Sequence, residues 1–265
     1  MEAAPKYPVK TVTKAIEIIN YLAQDTGNRG VGVSELGRVL HMGKSTVHRL
    51  LDTLSYYGYV EQDPETNQYR LGWELYKIGQ AVPQQNQLLN LNSGYILELS
   101  RKTQATVNLG ILKRGEIFII SKIEGAYDKA HLSVQGGEYE AVHATGMGKI
   151  MISEMNDEEI WELFRGREEL PPCTPNTITS VSQLLREVAK VRRDGYAVDA
   201  EEYCLGLYCI AMPVRDYTEK IVAAVSVSSP AGRMDEERKR IILEALGKCS
   251  RDISRSLGYR AAGEK

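Results

Sequence analysis

Near the start of the chain, apolar residues recur at helical spacing three times in quick succession. Residues 13–24 place Ala15, Ile18, Ile19 and Leu22 on one face and run out into the turn residues "DTGNRG". Residues 33–40 gather Leu36, Val39 and Leu40 behind Ser34, which is expected to cap that helix. From Lys44 onward, Val47, Leu50, Leu51 and Leu54 mark a third face that stops at Gly58. "YVEQDPETNQYRL" then reads as two short strands around a turn holding Asp63, Pro64 and Asn67. Three short helices followed by a hairpin give the order of a winged helix-turn-helix.

The pattern then changes. "ELYKIGQAV" is helical in spacing, Pro83 is expected to interrupt it, "QQNQ" has no apolar face, and residues 74–92 are read as a connector. From Leu88 to Lys102 another amphipathic helix carries Leu88, Leu91, Tyr95 and Leu99. "TVNLGIL" and "EIFIISKI", joined by "KRG", predict a hairpin, as do "YCIAMPV" and "KIVAAVSVS" around "RDYTE". Between them, Ser180 with Gln183 resembles a capping box ahead of the stripe Val181, Leu184, Leu185, Val188 and Val191, which ends at "RRDGY". A last helix, from about Asp235 to Leu257, carries Ile241, Ile242, Ala245, Leu246, Ile253 and Leu257. The second part of the chain therefore reads as one α+β domain with an antiparallel sheet.

Composition adds bounds rather than a function. A chain of 265 residues with 43% hydrophobic and 26% charged residues suits two soluble domains. No run of 18 apolar residues occurs and "MEAAPKYPVK" has no signal-peptide pattern, so a cytoplasmic protein without membrane contact is expected. Cys173, Cys204, Cys209 and Cys249 lack C-x-x-C spacing and are expected to be reduced thiols. With 33 basic and 35 acidic residues, and eight against nine within residues 1–75, overall charge gives no pull toward nucleic acid.

A DNA-binding role must therefore rest on placement. In a helix-turn-helix the second helix enters the major groove, and its first turns reach base edges and phosphates. Lys44, Ser45, Thr46, His48 and Arg49 fall there, on residue types suited to guanine edges and phosphate oxygens. Asn67, Gln68 and Arg70 are placed to lay the hairpin against the DNA backbone. Lys10, Lys14, Lys44, Arg49 and Arg70 are expected to cluster while Glu17, Asp52 and Glu61 face elsewhere. A merely solvated helix face is the plain alternative, and the preceding helix and turn argue against it.

The segments "SELGRVLHMGKSTVHRLLDTLSYYGYV" with "YRLG", "HATGMGKIM", "TPNTITS", "RRDGYAVDAEEYCLGLYCIAMPVRD" and "AVSVSSPAGRM", in this order, resemble the isocitrate lyase regulator (IclR) family of bacterial transcription factors from about Thr13 to Tyr259. The resemblance implies a winged helix-turn-helix over residues 1–72, a linker helix over 73–90, and a GAF-like α+β effector domain over 91–260. It implies a homodimer or dimer of dimers on a palindromic double-stranded operator, controlled by a small-molecule effector such as a keto, sugar or aromatic acid. It further implies Gly146 and Met147 as backbone amide donors to that effector, with Asp199, Cys209, Ser226 and Ser228 as side-chain partners. Independently, Ser226 and Ser228, two apart on one strand, share a face. Met147 stands where a small residue is common in the family and Asn108 where histidine is common. Val107, Leu109 and Leu132 are candidate apolar walls, although core packing is the expected role of any single apolar strand residue.

Nothing in the sequence calls for a cofactor. An enzyme would need Cys204 or Cys209 beside His131 or His143 as a thiol nucleophile, and a metal site would draw on His131, His143, Asp199, Glu202 and Cys209; neither set has diagnostic spacing. A protein-interaction module without DNA contact would leave Lys44, Ser45, Thr46 and Arg49 unexplained.

Overall fold

The stripes of the first third become three packed helices. The computed structural model describes residues 5–25, 29–85, 88, 93–125 and 137–260. Contacts divide the chain into two units, residues 2–86 and 87–265. In the first, helices α1 (Lys10–Leu22), α2 (Val33–Val39) and α3 (Lys44–Tyr56) precede strands β1 (Val60–Gln62) and β2 (Tyr69–Leu71) and helix α4 (Trp73–Gln84). Ile18, Leu22, Leu36, Val47, Leu50, Leu51, Val60 and Tyr69 are buried together as its core.

The link between α2 and α3 is fixed by backbone approach. His41 turns the chain at φ 51°, and a β-carbon on Gly37 would stand 3.0 Å from the Met42 carbonyl oxygen, so a side chain there would press the turn away from α2 by a few tenths of an ångström. Ser34 does not cap α2. The N-cap is Gly32, because the chain enters the helix directly from the bridge between Val31 and Tyr69, where Gln68 crowds the position that a side chain at 32 would take. Nor does Pro83 break α4. It lies one residue before the end of the helix, so it removes a single late hydrogen bond. By its contacts that helix groups with the first unit.

The second unit is a six-stranded antiparallel sheet with helices on both faces. After α5 (Ser93–Thr103) come β3 (Thr106–Lys113), β4 (Glu116–Ile123), β5 (Tyr139–Glu140), α6 (Gly146–Met151), α7 (Asp157–Leu163), α8 (Val181–Asp194), β6 (Ala197–Ala200), β7 (Leu207–Arg215), β8 (Ile221–Pro230), a 3-10 turn and α9 (Glu236–Ser256). The strand order is β5-β4-β3-β8-β7-β6. Both expected hairpins form, the first through Arg114 and Gly115, each with positive φ, as a tight two-residue turn requires. Ser180 caps α8 by accepting from the Gln183 N–H at 3.2 Å, and Gly195 ends that helix in the left-handed region. Leu91, His131 and Leu132 lie outside the described residues.

Each face of the sheet has its own core. Val107, Leu109, Ile210, Val225 and Val227 pack with Leu99 of α5 and Ile242, Leu246 and Ile253 of α9. On the other face Ile117, Ile119, Ala211 and Ala224 pack with Met147 and Ile150 of α6 and Leu184 and Val188 of α8. Burial on both faces explains why β3 and β8 read as nearly continuous apolar runs.

Candidate DNA interface and effector pocket

Helix α3 separates packing from chemistry by its period. Val47, Leu50 and Leu51 are buried, while Lys44, Ser45, His48 and Arg49 are exposed and Thr46 is half-buried. No side chain caps its first turn and no acidic residue lies there, so the positive end of the helix has no competing carboxylate. The hairpin is less cationic than expected. Glu61 sits directly across from Arg70 in the β1–β2 register, and its carboxylate lies 3.2 Å from the guanidinium, so Glu61 does not face elsewhere. Gln68 lies over Gly30 and Gly32 of its own unit. Asn67 is exposed at the hairpin turn with φ 56°. At the same turn Asp63 accepts from the Thr66 and Glu65 N–H groups, each at 2.9 Å, which holds its carboxyl below the usual range.

The pocket of the second unit follows from strand register. One row across the sheet runs Asp199, Cys209, Ser228, Thr106 on strands β6, β7, β8 and β3. The neighbouring row on the same face runs Ala211, Ser226, Asn108, Lys122 on β7, β8, β3 and β4. Alternation along a strand sends Val107 and Leu109 to the opposite face, into the core with α5 and α9, so they are not pocket walls. Above the two rows stands α6, with Gly146 and Met147 in its first turn and Thr145 as N-cap, whose hydroxyl accepts from the Gly148 N–H at 3.1 Å. Together these residues, Ala211 excepted, with Glu140, Tyr203 and Leu207 line a cavity that opens to solvent. Met147 lies against Gly110 on the floor, its sulfur 3.2 Å from where a β-carbon would stand.

The cavity is polar and buried, which sets its protonation. Burial raises Asp199 to about 6, against the pull of the Glu202 and Tyr203 N–H groups donating to it at 2.7 and 3.3 Å. Burial, then the charges of Asp199 and Glu138, push Glu140 up to about 7, with Lys122 opposing. Burial likewise raises the Cys209 thiol, which donates to Ser228 Oγ at 3.2 Å and is no ready nucleophile. The segment after β6 is pinned at the cavity edge. Lys149, fully buried, donates to Val198 O at 2.8 Å and to Glu202 Oε1 at 2.6 Å, while the Thr177 hydroxyl donates to Glu202 O at 2.6 Å and that of Thr174 to Glu201 O at 2.7 Å.

The structure thus brings all six expected effector residues to one cavity. Of the alternative metal ligands, Asp199 and Cys209 lie side by side, while His143 turns its Nε2 to Pro171 O at 2.9 Å and Glu202 is taken up by Lys149. Among the described residues no group of three His, Cys, Asp or Glu side chains could hold a metal ion. Sequence reading missed Thr106, Lys122, Glu140, Tyr203 and Leu207 as lining residues, and noted Asn108 only as a departure. For Thr106, Asn108 and Lys122 the signal was present: two polar residues two apart at the start of an otherwise apolar strand, and a lysine inside "FIISKI". Glu140 and Tyr203 lie in short irregular stretches with no periodic cue.

Comparison with known proteins extends this picture over the whole chain. A family model described as "IclR helix-turn-helix domain" matches residues 11–64. A second, "Bacterial transcriptional regulator IclR C-terminal", matches residues 80–255. The chain is 33% identical over 253 residues to the HTH-type transcriptional regulator XynR of Escherichia coli K12, a match that covers 96% of this chain and 99% of that protein. Among solved structures, Thermotoga maritima IclR matches with a TM-score of 0.79 at 30% identity, over 95% of this chain and all of that one (100%). An IclR homologue from Microbacterium hydrocarbonoxydans, solved with 4-hydroxybenzoate, matches with a TM-score of 0.80 at 20% identity, over 94% and 99% of the two chains, and shares the fold.

Proposed function

The chain belongs to the IclR family of bacterial transcriptional regulators, and from that premise we propose that it is a cytoplasmic regulator of a catabolic operon whose grip on a palindromic operator is set by a small organic acid. Its relatives are regulators rather than enzymes, and no helix among the described residues is long and apolar enough to cross a membrane. The observation that carries the reading is the convergence of Gly146, Met147, Asp199, Cys209, Ser226 and Ser228 on one cavity, in a unit separate from the one that presents Lys44, Ser45, His48 and Arg49 to solvent.

In this reading α3 enters the major groove, Arg49 and Lys44 meeting guanine edges or phosphates and Ser45, Thr46 and His48 adding shorter contacts. Asn67, Gln68 and Arg70 supply the hairpin's approach to the backbone, with Arg70 weakened by its pairing to Glu61. A homodimer, or a dimer of dimers, places two such helices one helical repeat apart on a symmetric site. In the pocket, the first amides of α6 and the Ser226 and Ser228 hydroxyls offer donors to the oxygen atoms of an acid, and Asp199 accepts from a hydroxyl or shares its own proton. The 4-hydroxybenzoate bound by the Microbacterium homologue is an acid of this kind.

A thermal-shift screen of small carboxylates on the full-length protein tests the pocket, since a ligand that binds only the folded state raises its melting temperature. Stabilisation by an acid that Ser226→Ala or Asp199→Asn abolishes, with operator binding kept, supports the assignment. Stabilisation unaffected by either variant removes it.

A further inference from the structure

Two buried polar atoms in the cavity wall have no hydrogen-bond partner among the described residues: Lys122 Nζ and Asn108 Oδ1. They are cross-strand neighbours, paired between β4 and β3 on the pocket face. The Lys122 side chain is 7% exposed, and its ionic contact, Glu124 Oε1, is 3.6 Å away on a side chain that is 64% exposed. That separation is too long for a hydrogen bond, and water competes for the carboxylate. Asn108 is anchored at its other end, Nδ2 donating to Ser228 Oγ at 3.2 Å, which leaves Oδ1 as a fixed, empty acceptor. A buried ammonium without an acceptor and a buried amide oxygen without a donor are costly in any fold, so each asks for an explanation. Neither residue belongs to the effector set carried over from the family.

We propose that Lys122 and Asn108 form a second anchor in the effector pocket, Lys122 taking the carboxylate of the effector and Asn108 Oδ1 accepting from a hydroxyl on the adjoining carbon, so that the site selects 2-hydroxycarboxylates. The inference rests on reading the cavity as the effector site. Cross-strand adjacency is what ties the two groups together: side chains directly opposite on one face of an antiparallel pair lie close enough to hold two substituents of neighbouring carbons. The remaining polar lining fits the rest of such a molecule: burial raises Glu140 to about 7, which eases its repulsion of an anion, and the Asp199 carboxylate can accept from a further hydroxyl. A neutral or cationic effector would leave Lys122 with only the exposed Glu124 carboxylate 3.6 Å away.

Full-length wild type, Lys122→Met, Asn108→Leu and Ser226→Ala are compared by thermal shift, without ligand and with glycolate, lactate, glycerate or gluconate, against acetate, propionate and glycolamide at the same concentrations. Without ligand, Lys122→Met should melt higher than wild type, because it removes a buried ammonium that has no hydrogen-bond partner among the described residues. At least one hydroxy acid should stabilise wild type more than its deoxy or amide counterpart. Lys122→Met should bind that acid at least tenfold more weakly, and Asn108→Leu should erase its advantage over the deoxy acid; Lys122→Gln serves if the methionine variant does not fold. A lower melting temperature for the unliganded Lys122 variants assigns the lysine a structural role and overturns the anchor. So does the lack of any shift with every acid. If Ser226→Ala abolishes a response that Lys122→Met retains, the pocket stands and the anchor falls; if neither variant changes a response seen in wild type, the pocket assignment itself fails.

Discussion

Glu140 and Asp199 show what placing acids on the inner face of a packed sheet does to single residues. The folded state holds each protonated at a pH where the unfolded chain has already released its proton. Between the unfolded and folded values the native state therefore binds more protons, and stability falls as pH rises. For Glu140 this window runs from 4.5 to about 7, and the associated loss is on the order of 3 kcal/mol. Glu140→Gln should flatten the fall in unliganded stability across that window, measured by urea unfolding at a series of pH values; an unchanged slope would remove the buried carboxyl as its source. These residues were only partly legible. Asp199 came through the family pattern, but Glu140 and Lys122 become pocket residues through which strands lie side by side, and pairing partners far apart in sequence leave no mark on local spacing.

Two elements place the chemistry, and each carries a weak point that the chain marks with a particular residue. In α6, Gly148 lies so close to the preceding segment that a β-carbon would stand 2.0 Å from Val142 O. Gly148→Ala should thus cost about 3 kcal/mol in chemical denaturation and lower ligand response through misplacement of Gly146 and Met147; a neutral variant would show that the backbone there yields. In α3, Arg49→Ala should weaken operator binding about tenfold or more, the effect expected of a base-reading arginine. Arg70→Ala should weaken it less, because Glu61 already takes part of its charge. Fluorescence anisotropy on one operator fragment ranks the two, and the reverse order would move the main contact from helix to hairpin. The stripes that predicted α1, α3, α8 and α9 were readable because helical period and burial coincide there. Strands β5 and β6, two and four residues long, pair at the sheet edges and are too short to leave a comparable pattern.

For the molecule as a whole, the sequence order of a helix-turn-helix followed by an α+β domain is the order observed, and the family match spans both. A regulator built this way must couple its two units thermodynamically. Whatever factor the effector applies to operator affinity, operator DNA applies to effector affinity, so a ligand that shifts one and leaves the other untouched is not the effector. Nearly balanced charge in the first unit also restricts the electrostatic part of binding. With eight basic residues against nine acidic in residues 1–75, the salt dependence of operator binding should reflect the few phosphates that α3 and the hairpin neutralise rather than a broad cationic face.

The most direct measurement is competition binding of the full-length protein and its Arg49→Ala variant to the duplex upstream of its own gene, against random duplex of equal length and at fixed salt. Wild type should prefer the upstream fragment by at least a hundredfold, and the variant should lose most of that preference while keeping its stabilisation by a bound acid. Equal affinity of wild type for both duplexes, with and without small carboxylates, would contradict the assignment of α3 to sequence reading and of the second unit to its control.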